Sequence, residues 1–144
     1  RFTNIEAVLG LSQLKRISSI IKRKKQIGKL YYDLLKNNKI ITIQKPKLKN
    51  FVNIYWVVGI IIKKKININL LRKKLLNQGI ETRSFFWPMN RQKVFKNLKI
   101  KFKGSFPNSN YISKYGFYLP SGIGTSNNEI KFVCNKINQL TNSL

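Results

Sequence analysis

The feature that most constrains the fold is one long helical pattern at the start of a 144-residue chain. From residue 3 to residue 36, apolar residues such as Ile5, Ile20 and Leu34 recur at the three-and-four spacing of a helix face. Thr3 and Glu6 have the spacing of a capping box at its start. A helix of that length extends about 50 Å, which is long for so short a chain. We therefore predict a connector over residues 1–39 that packs against something outside this chain.

Residues 40–144 predict a small α/β domain (α+β), with helices on a three-stranded sheet. The predicted strands are 51–62, 80–87 and Phe117–Leu119, and the second is stopped by Pro88. A helix is predicted over 67–78, with Gly79 as its C-terminal cap. Ser126 and Glu129 open a last helix. The other segments are a polar linker at 40–50, a short helix and loop in 89–106, and a short helix over 107–115.

The charge has two interpretations. The chain carries 29 Lys and Arg against 4 Asp and Glu, a net charge of +25, which is typical of proteins that bind polyanions. However, Lys, Ile and Asn share A/T-rich codons and number 23, 20 and 17, so a biased genome would also produce this composition. The lysines are spread over every segment, which favours the second interpretation.

Composition also excludes several kinds of site. The chain has no His and one Cys, which excludes a plausible zinc site, a serine–histidine pair and an intrachain disulfide. A lone cysteine, Cys134, favours a reducing, cytoplasmic setting. The carboxylates of Glu6, Asp33, Glu81 and Glu129 lie in different elements, so a carboxylate pair for acid–base catalysis is not expected. The apolar runs are too short to cross a bilayer, and no membrane association is predicted.

Two segments are candidates for function. Residues 81–90 combine Arg83, three consecutive aromatic residues and Pro88 at a strand end. They predict either a buried core strand or a pocket wall that offers Arg83 to an anion and aromatic faces to a ring. Residues 1–4 predict either an ordinary helix start or an anion site, because a helix N-terminus presents free N–H groups.

These motifs resemble the DegT/DnrJ/StrS sugar aminotransferases. The resemblance begins with RFTNIEAVLGLSQLKRI, continues through GIETRSFFWPM and ends with LPSG and the last helix, so it covers nearly the whole chain. The ETRSFFWPM and LPSG forms look most like the perosamine synthase branch, which aminates a GDP-linked 4-keto-6-deoxymannose. The family has the fold-type I aspartate aminotransferase architecture and uses pyridoxal phosphate. The resemblance implies that this chain is the small C-terminal domain, and that the large cofactor domain lies outside it.

The resemblance also implies an activity. In the family, pyridoxal phosphate takes an amino group, usually from glutamate, and passes it to a nucleotide-linked 4-keto-6-deoxy sugar. No lysine here matches the family's cofactor lysine, so the chain alone is expected to be inactive. The complete enzyme is expected to be a cytoplasmic homodimer. The alternative is a small basic nucleic-acid-binding protein, in which the aromatic residues 85–87 are stacking platforms.

Site residues follow from the matching motifs. Arg1 and Asn4 match the segment that lines the cofactor site of the partner subunit. Arg83, Phe86 and Trp87 match the segment that approaches the sugar, with Arg83 as the contact to an anion or hydroxyl. Asn90 stands where the family often has His. An amide still hydrogen-bonds a sugar hydroxyl, but it cannot carry the same proton.

Overall fold

The computed structural model describes residues 2–63 and 66–142. Its helices are α1 (Asn4–Lys15), α2 (Ile17–Leu35), α3 (Ile68–Leu76), α4 (Lys93–Asn97), α5 (Pro107–Tyr115) and α6 (Asn127–Asn142). Its strands are β1 (Ile41–Ile43), β2 (Lys47–Leu48), β3 (Phe51–Val52), β4 (Val58–Ile62), β5 (Arg83–Ser84) and β6 (Gly116–Leu119). Met89–Arg91 form one turn of 3-10 helix. The predicted fold class, a sheet with helices, is confirmed.

The main sheet is antiparallel and has four strands in the order β1-β4-β6-β5, where three were predicted. The additional strand is β1, whose Ile41 pairs with Ile62. It lies in the segment that was predicted as a linker. Its burial alternates over three residues, which is too short a run to distinguish a strand from a loop by sequence. β2 and β3 form a separate two-stranded ribbon.

The predicted strand 51–62 is wrong in its middle. It divides into β3 and β4, and Tyr55 between them has a left-handed backbone, with φ of 52°. The Asn53 side chain accepts a hydrogen bond from the Tyr55 N–H at 2.8 Å. This turn buries the Tyr55 ring on Gly28 of α2, where an added Cβ would lie 2.1 Å from the ring. The tertiary contact therefore overrides the β preference of this run.

The core lies between β4 and helices α2, α3 and α6. Val58, Ile60 and Ile62 alternate along β4 and so share one face of the sheet. The residues that α2, α3 and α6 contribute to this core are Ile27, Tyr31, Leu35, Ile68, Leu71, Leu75, Ile130, Val133, Cys134 and Ile137. Gly59 faces the other side, where the Phe85 ring lies over it.

The predicted long helix is two helices. α1 ends where the Arg16 N–H bonds to the Gln13 carbonyl at 3.0 Å, and Arg16 has φ of −106° and ψ of 1°. α2 then restarts, with the Ile20 N–H bonded to the Arg16 carbonyl at 3.1 Å. No Pro or Gly marks this break, so the spacing of apolar residues did not predict it. α1 buries none of its residues, whereas α2 buries Ile27, Gly28, Tyr31 and Leu35.

The other helix ends follow the predicted signals. Thr3 and Glu6 form the reciprocal capping box of α1, and Ser126 and Glu129 do the same for α6. Gly79 adopts φ of 76° just after α3. The predicted strand 80–87 pairs only at Arg83 and Ser84. Glu81, Phe86 and Trp87 of that segment lie along the candidate site, whereas Ile80 belongs to the core.

Candidate functional site

A groove of about 810 Å³ lies where α2, β5 and the loop after β6 meet. Lys24 of α2 and Arg83 of β5 bring positive charge to it, and Trp56 and Tyr118 bring aromatic surface. Arg83 is exposed, and it pairs with Tyr118 in the antiparallel ladder between β5 and β6. The short β5 strand therefore fixes the backbone from which the arginine projects.

The LPSG loop is bound to α2 through its backbone carbonyls. The Tyr31 hydroxyl donates to Pro120 O at 2.7 Å, and the Lys24 ammonium donates to Ser121 O at 2.6 Å. The Arg23 guanidinium donates to Thr125 O and, at 3.0 Å, to Asn127 Oδ1. Burial lowers the pKa of Lys24 and raises that of Tyr31. These bonds satisfy the loop carbonyls and set the shape of one groove wall.

An open cluster of aromatic rings forms another wall. Phe86 stacks on Trp56, with ring centroids 6.1 Å apart and an interplanar angle of 13°. The same ring meets Tyr118 edge-on at 5.7 Å. Phe86 and Trp56 remain 66% and 70% exposed, so their surface is available to a ligand. Aromatic surface with a few polar groups beside it is typical of small-molecule sites.

Phe85 has a different role from its neighbour. Its ring lies over Gly59 and Gly116, where an added Cβ would meet it at 2.6 Å and 2.2 Å. The ring also packs on Tyr118 at 4.5 Å. Phe85 is half-buried: its ring packs on two glycines that make room for it, and it also lines a groove beside the site.

Trp87 and Asn90 lie in a tied turn next to the aromatic wall. The Trp87 indole N–H donates to Arg91 O at 2.8 Å, and the Gln92 side chain donates to Trp87 O at 2.9 Å. The Arg91 guanidinium lies over the Trp87 ring at 4.3 Å. Phe86, Trp87 and Asn90 line one groove of about 460 Å³. The structure thus brings these three predicted residues together, with Arg83 in the neighbouring groove.

Of the two predicted cofactor-binding residues, the structure describes only Asn4. Asn4 is the first residue of α1, is exposed, and lines neither groove. Arg1 lies outside the described residues. Thr3 and Glu6 bond to each other at the start of α1, and the hydrogen bond from the Thr3 backbone lowers the pKa of Glu6. At the start of α1, the side chains of Thr3 and Glu6 therefore hydrogen-bond the backbone N–H groups of each other.

Sequence reasoning did not place three of the groove residues. Lys24 lies in a basic run that was interpreted as solvated, and Trp56 lies in the run predicted as a strand. Tyr118 lies on β6, which carried no functional signal. The pairing of β5 with β6, the turn at Tyr55 and the packing of α2 bring these side chains to the site.

The part of the chain that the structure describes contains neither a group of side chains suited to a metal ion nor a membrane-spanning helix. Across residues 2–63 and 66–142, no three His, Cys, Asp or Glu side chains form a group that could hold a metal ion. Among the same residues, the search finds no helix with both the length and the apolar character needed to span a bilayer.

The architecture is that of one segment of solved aminotransferases. Spr1654 of Streptococcus pneumoniae, described as a sugar aminotransferase, superposes with a TM-score of 0.88 at 21% identity over 99% of this chain and 36% of its own. Helicobacter pylori PseC, an aminotransferase of pseudoaminic acid biosynthesis, superposes with a TM-score of 0.85 at 20% identity over 100% of this chain and 38% of its own. These likenesses define the fold.

The sequence defines the family. Residues 1–138 match the DegT/DnrJ/EryC1/StrS aminotransferase family, and the chain belongs to that family. It is 33% identical to the GDP-perosamine synthase of Vibrio cholerae over 147 aligned positions, and 30% identical to that of Escherichia coli O157:H7 over 139. The chain spans 39% and 36% of the length of these two relatives. The resemblance drawn from the motifs is confirmed.

Proposed function

We propose that this chain forms the small domain of a pyridoxal-phosphate enzyme that moves an amino group, from glutamate, to a nucleotide-linked 4-keto-6-deoxy sugar. Family membership supports amino transfer. The relatives named GDP-perosamine synthase support a GDP-linked sugar as the acceptor. The enzyme is proposed to act as a homodimer, with Arg1 and Asn4 contributing to the partner's cofactor site.

The observation that carries the proposal is the exposed aromatic wall beside Arg83. Trp56, Phe86 and Tyr118 form one connected set of rings, and two of them line the same groove as Arg83. A sugar ring has apolar faces and a polar edge. The rings of this wall suit its faces, while the guanidinium supplies fixed donors to a hydroxyl or an anion. Asn90, one groove further on, adds an amide for a second hydroxyl.

We propose that the described residues form only part of a pyridoxal-phosphate site. Such a site needs a free lysine amine, a carboxylate for the pyridine nitrogen and donors for the phosphate. Lys24 lines the large groove, but its ammonium is bound to Ser121 O. Glu81 is the one carboxylate along that groove among the described residues. When bound, the cofactor supplies the electron sink for amino transfer. We propose that its lysine lies outside this chain and that the chain alone is inactive.

The nucleic-acid alternative has less support. It requires residues 85–87 to present free rings for base stacking. Phe85 instead covers Gly59 and Gly116, and one face of the Trp87 ring is occupied by Arg91. These contacts suit a small pocket better than a strand-binding platform.

The test uses the complete protein that contains this chain. Its reading frame is obtained by sequencing the DNA upstream of the Arg1 codon. With glutamate and GDP-4-keto-6-deoxymannose, the protein should release 2-oxoglutarate and the amino sugar. Arg83→Gln should lower kcat/KM about tenfold or more, which corresponds to about 1.4 kcal/mol of transition-state binding. Lys131→Gln, an exposed change on α6, is the matched control and should have no effect. An upstream frame closed by a stop codon, no amino transfer, or an unaffected Arg83→Gln enzyme would contradict the proposal.

A further inference from the structure

The segment from residue 91 to residue 103 forms a basic surface next to the aromatic groove of the candidate site. Six of its thirteen residues are Lys or Arg, and none is acidic. In the whole chain, Lys and Arg make up 29 of 144 residues. Arg91, Lys93 and Lys96 line a groove of about 390 Å³. No Asp or Glu lines that groove, so its field is positive throughout.

The groove is held in shape by packed rings and a tied turn. Phe95 and Phe102 meet edge-to-face at 5.3 Å, and Phe102 meets Phe106 in the same way at 6.3 Å. The Arg91 guanidinium lies over the Trp87 ring. The backbone carbonyl of Arg91 accepts a hydrogen bond from the Trp87 indole N–H. A guanidinium held in this way is pre-organised for a bidentate contact with a phosphate.

The basic groove is continuous with the aromatic one. Asn90 lines both, and the aromatic groove also contains Phe86 and Trp87. A ligand that lies across Asn90 therefore meets aromatic surface and an amide at one end and three cations at the other. The matching ligand has an uncharged ring joined to a strongly anionic group.

We propose that the groove formed by Arg91, Lys93 and Lys96 binds the diphosphate of a nucleotide-linked substrate. This inference rests on the proposed function, because it assigns the part of that substrate next to the sugar. The diphosphate places its oxygens among three cations, while the sugar reaches past Asn90 to the aromatic wall. The bulk of the +25 charge lies elsewhere and is not needed for this binding.

The test is the binding of inorganic pyrophosphate to this chain, measured by calorimetry at about 0.15 M salt, where long-range attraction is screened. The groove variant is Arg91→Gln/Lys93→Gln/Lys96→Gln. The matched control is Lys45→Gln/Lys73→Gln/Lys131→Gln, which removes the same charge from exposed positions outside the groove. The groove variant should bind at least tenfold more weakly, and the control should change less than twofold. Thermal unfolding of both triple variants verifies that they fold. If the triple groove variant does not fold, Lys93→Gln alone is used instead, and it should weaken pyrophosphate binding about threefold.

Equal weakening in both triple variants would overturn the proposal, because binding would then reflect net charge alone. Absence of pyrophosphate binding by the unmodified chain would overturn it as well. The experiments distinguish failure of the proposed function from failure of the diphosphate site. Selective pyrophosphate binding in a protein without amino transfer refutes only the proposed function. Amino transfer with an unchanged KM for the nucleotide sugar in the groove variant refutes only the diphosphate site.

Discussion

The two halves of the first helical segment both carry apolar residues, but their surroundings are opposite. α1 carries apolar residues along its length, and Leu9 is 62% exposed. In α2 the apolar residues concentrate on one face, and Ile27 is fully buried. α2 packs on α6 and β1, whereas α1 makes only a few contacts with α2. Apolar residues in a helix therefore do not decide by themselves whether they are covered; the face on which they lie and the rest of the fold do.

The contrast is also functional. α2 holds the loop after β6 through Arg23, Lys24 and Tyr31, so it belongs to the domain that carries the candidate site. α1 shares none of these bonds, and its own stability rests on the capping box at Thr3. Exposed contiguous apolar surface is typical of an interface. We expect parts of the complete protein outside this chain to cover α1.

The largest difference is expected for one apolar truncation in each helix. Ile27→Ala removes a buried side chain from the core and should lower the free energy of unfolding by about 2–5 kcal/mol. Leu9→Ala removes an exposed one and should change it by less than about 0.5 kcal/mol. Urea unfolding followed by circular dichroism measures both. A cost of several kcal/mol for Leu9→Ala would show that α1 is packed.

A glycine-to-alanine change should destabilise the protein in α2 and stabilise the helix in α1. In α2, the Cβ of Gly28→Ala would lie 2.1 Å from the Tyr55 ring, so this variant should lose about 1–3 kcal/mol of stability. In α1, Gly10→Ala meets nothing within 4 Å and should strengthen the helix by about 0.5–1 kcal/mol. Unfolding of the Gly28 variant and helix content of the Gly10 variant are the measurements. Two changes of the same sign would contradict this contrast.

Removing each N-cap should have a local effect in α1 and a global one in α6. Thr3→Ala and Ser126→Ala each break a capping box, which costs about 1 kcal/mol of helix stability. α6 contributes Ile130 and Ile137 to the core, so Ser126→Ala should lower the unfolding midpoint. Thr3→Ala should fray α1 and leave that midpoint unchanged. Far-ultraviolet circular dichroism and urea unfolding of both variants separate the two effects.

The smallest effect is a pH dependence that follows the same contrast. Hydrogen bonds from Thr3 and Ser126 lower the pKa of Glu6 and Glu129 below the ordinary carboxyl value. The native state therefore favours the ionised form, and this stabilisation is present above the ordinary value near 4.5 and lost as the pH falls through the lowered one. Acidification should loosen α1 through Glu6 and the whole domain through Glu129. Glu6→Gln should remove the first pH dependence alone, as measured by residue-resolved NMR.

Local signals predicted the elements that do not depend on distant contacts. The capping pairs, Gly79 and Pro107 marked α1, α3, α5 and α6 because each acts within a few residues. β1 and the turn at Tyr55 were missed, since both are stabilised by residues far away in the chain. No proline or glycine lies at the helix break near Arg16, so the local sequence did not predict it.

The candidate site divides in the same way. Family motifs identified Arg83, Phe86, Trp87 and Asn90, and the structure brings the last three into one groove. Arg83 lies in the adjoining groove, next to rings that Phe86 contacts. Lys24, Trp56 and Tyr118 complete the walls only through strand pairing and the packing of α2, and neither can be derived from local sequence. The roles of Arg1 and Asn4 stay predictions.

The most direct test of the contrast between the two helices is amide hydrogen exchange along residues 4–35 of this chain. Amides in the second half of α2, around Ile27 and Tyr31, should exchange only through global unfolding, because they lie in the core. Amides of α1 should exchange with protection factors far below that limit, because the helix has no cover. Equal protection in α1 and α2 at low protein concentration would contradict the conclusion that α1 is an uncovered element.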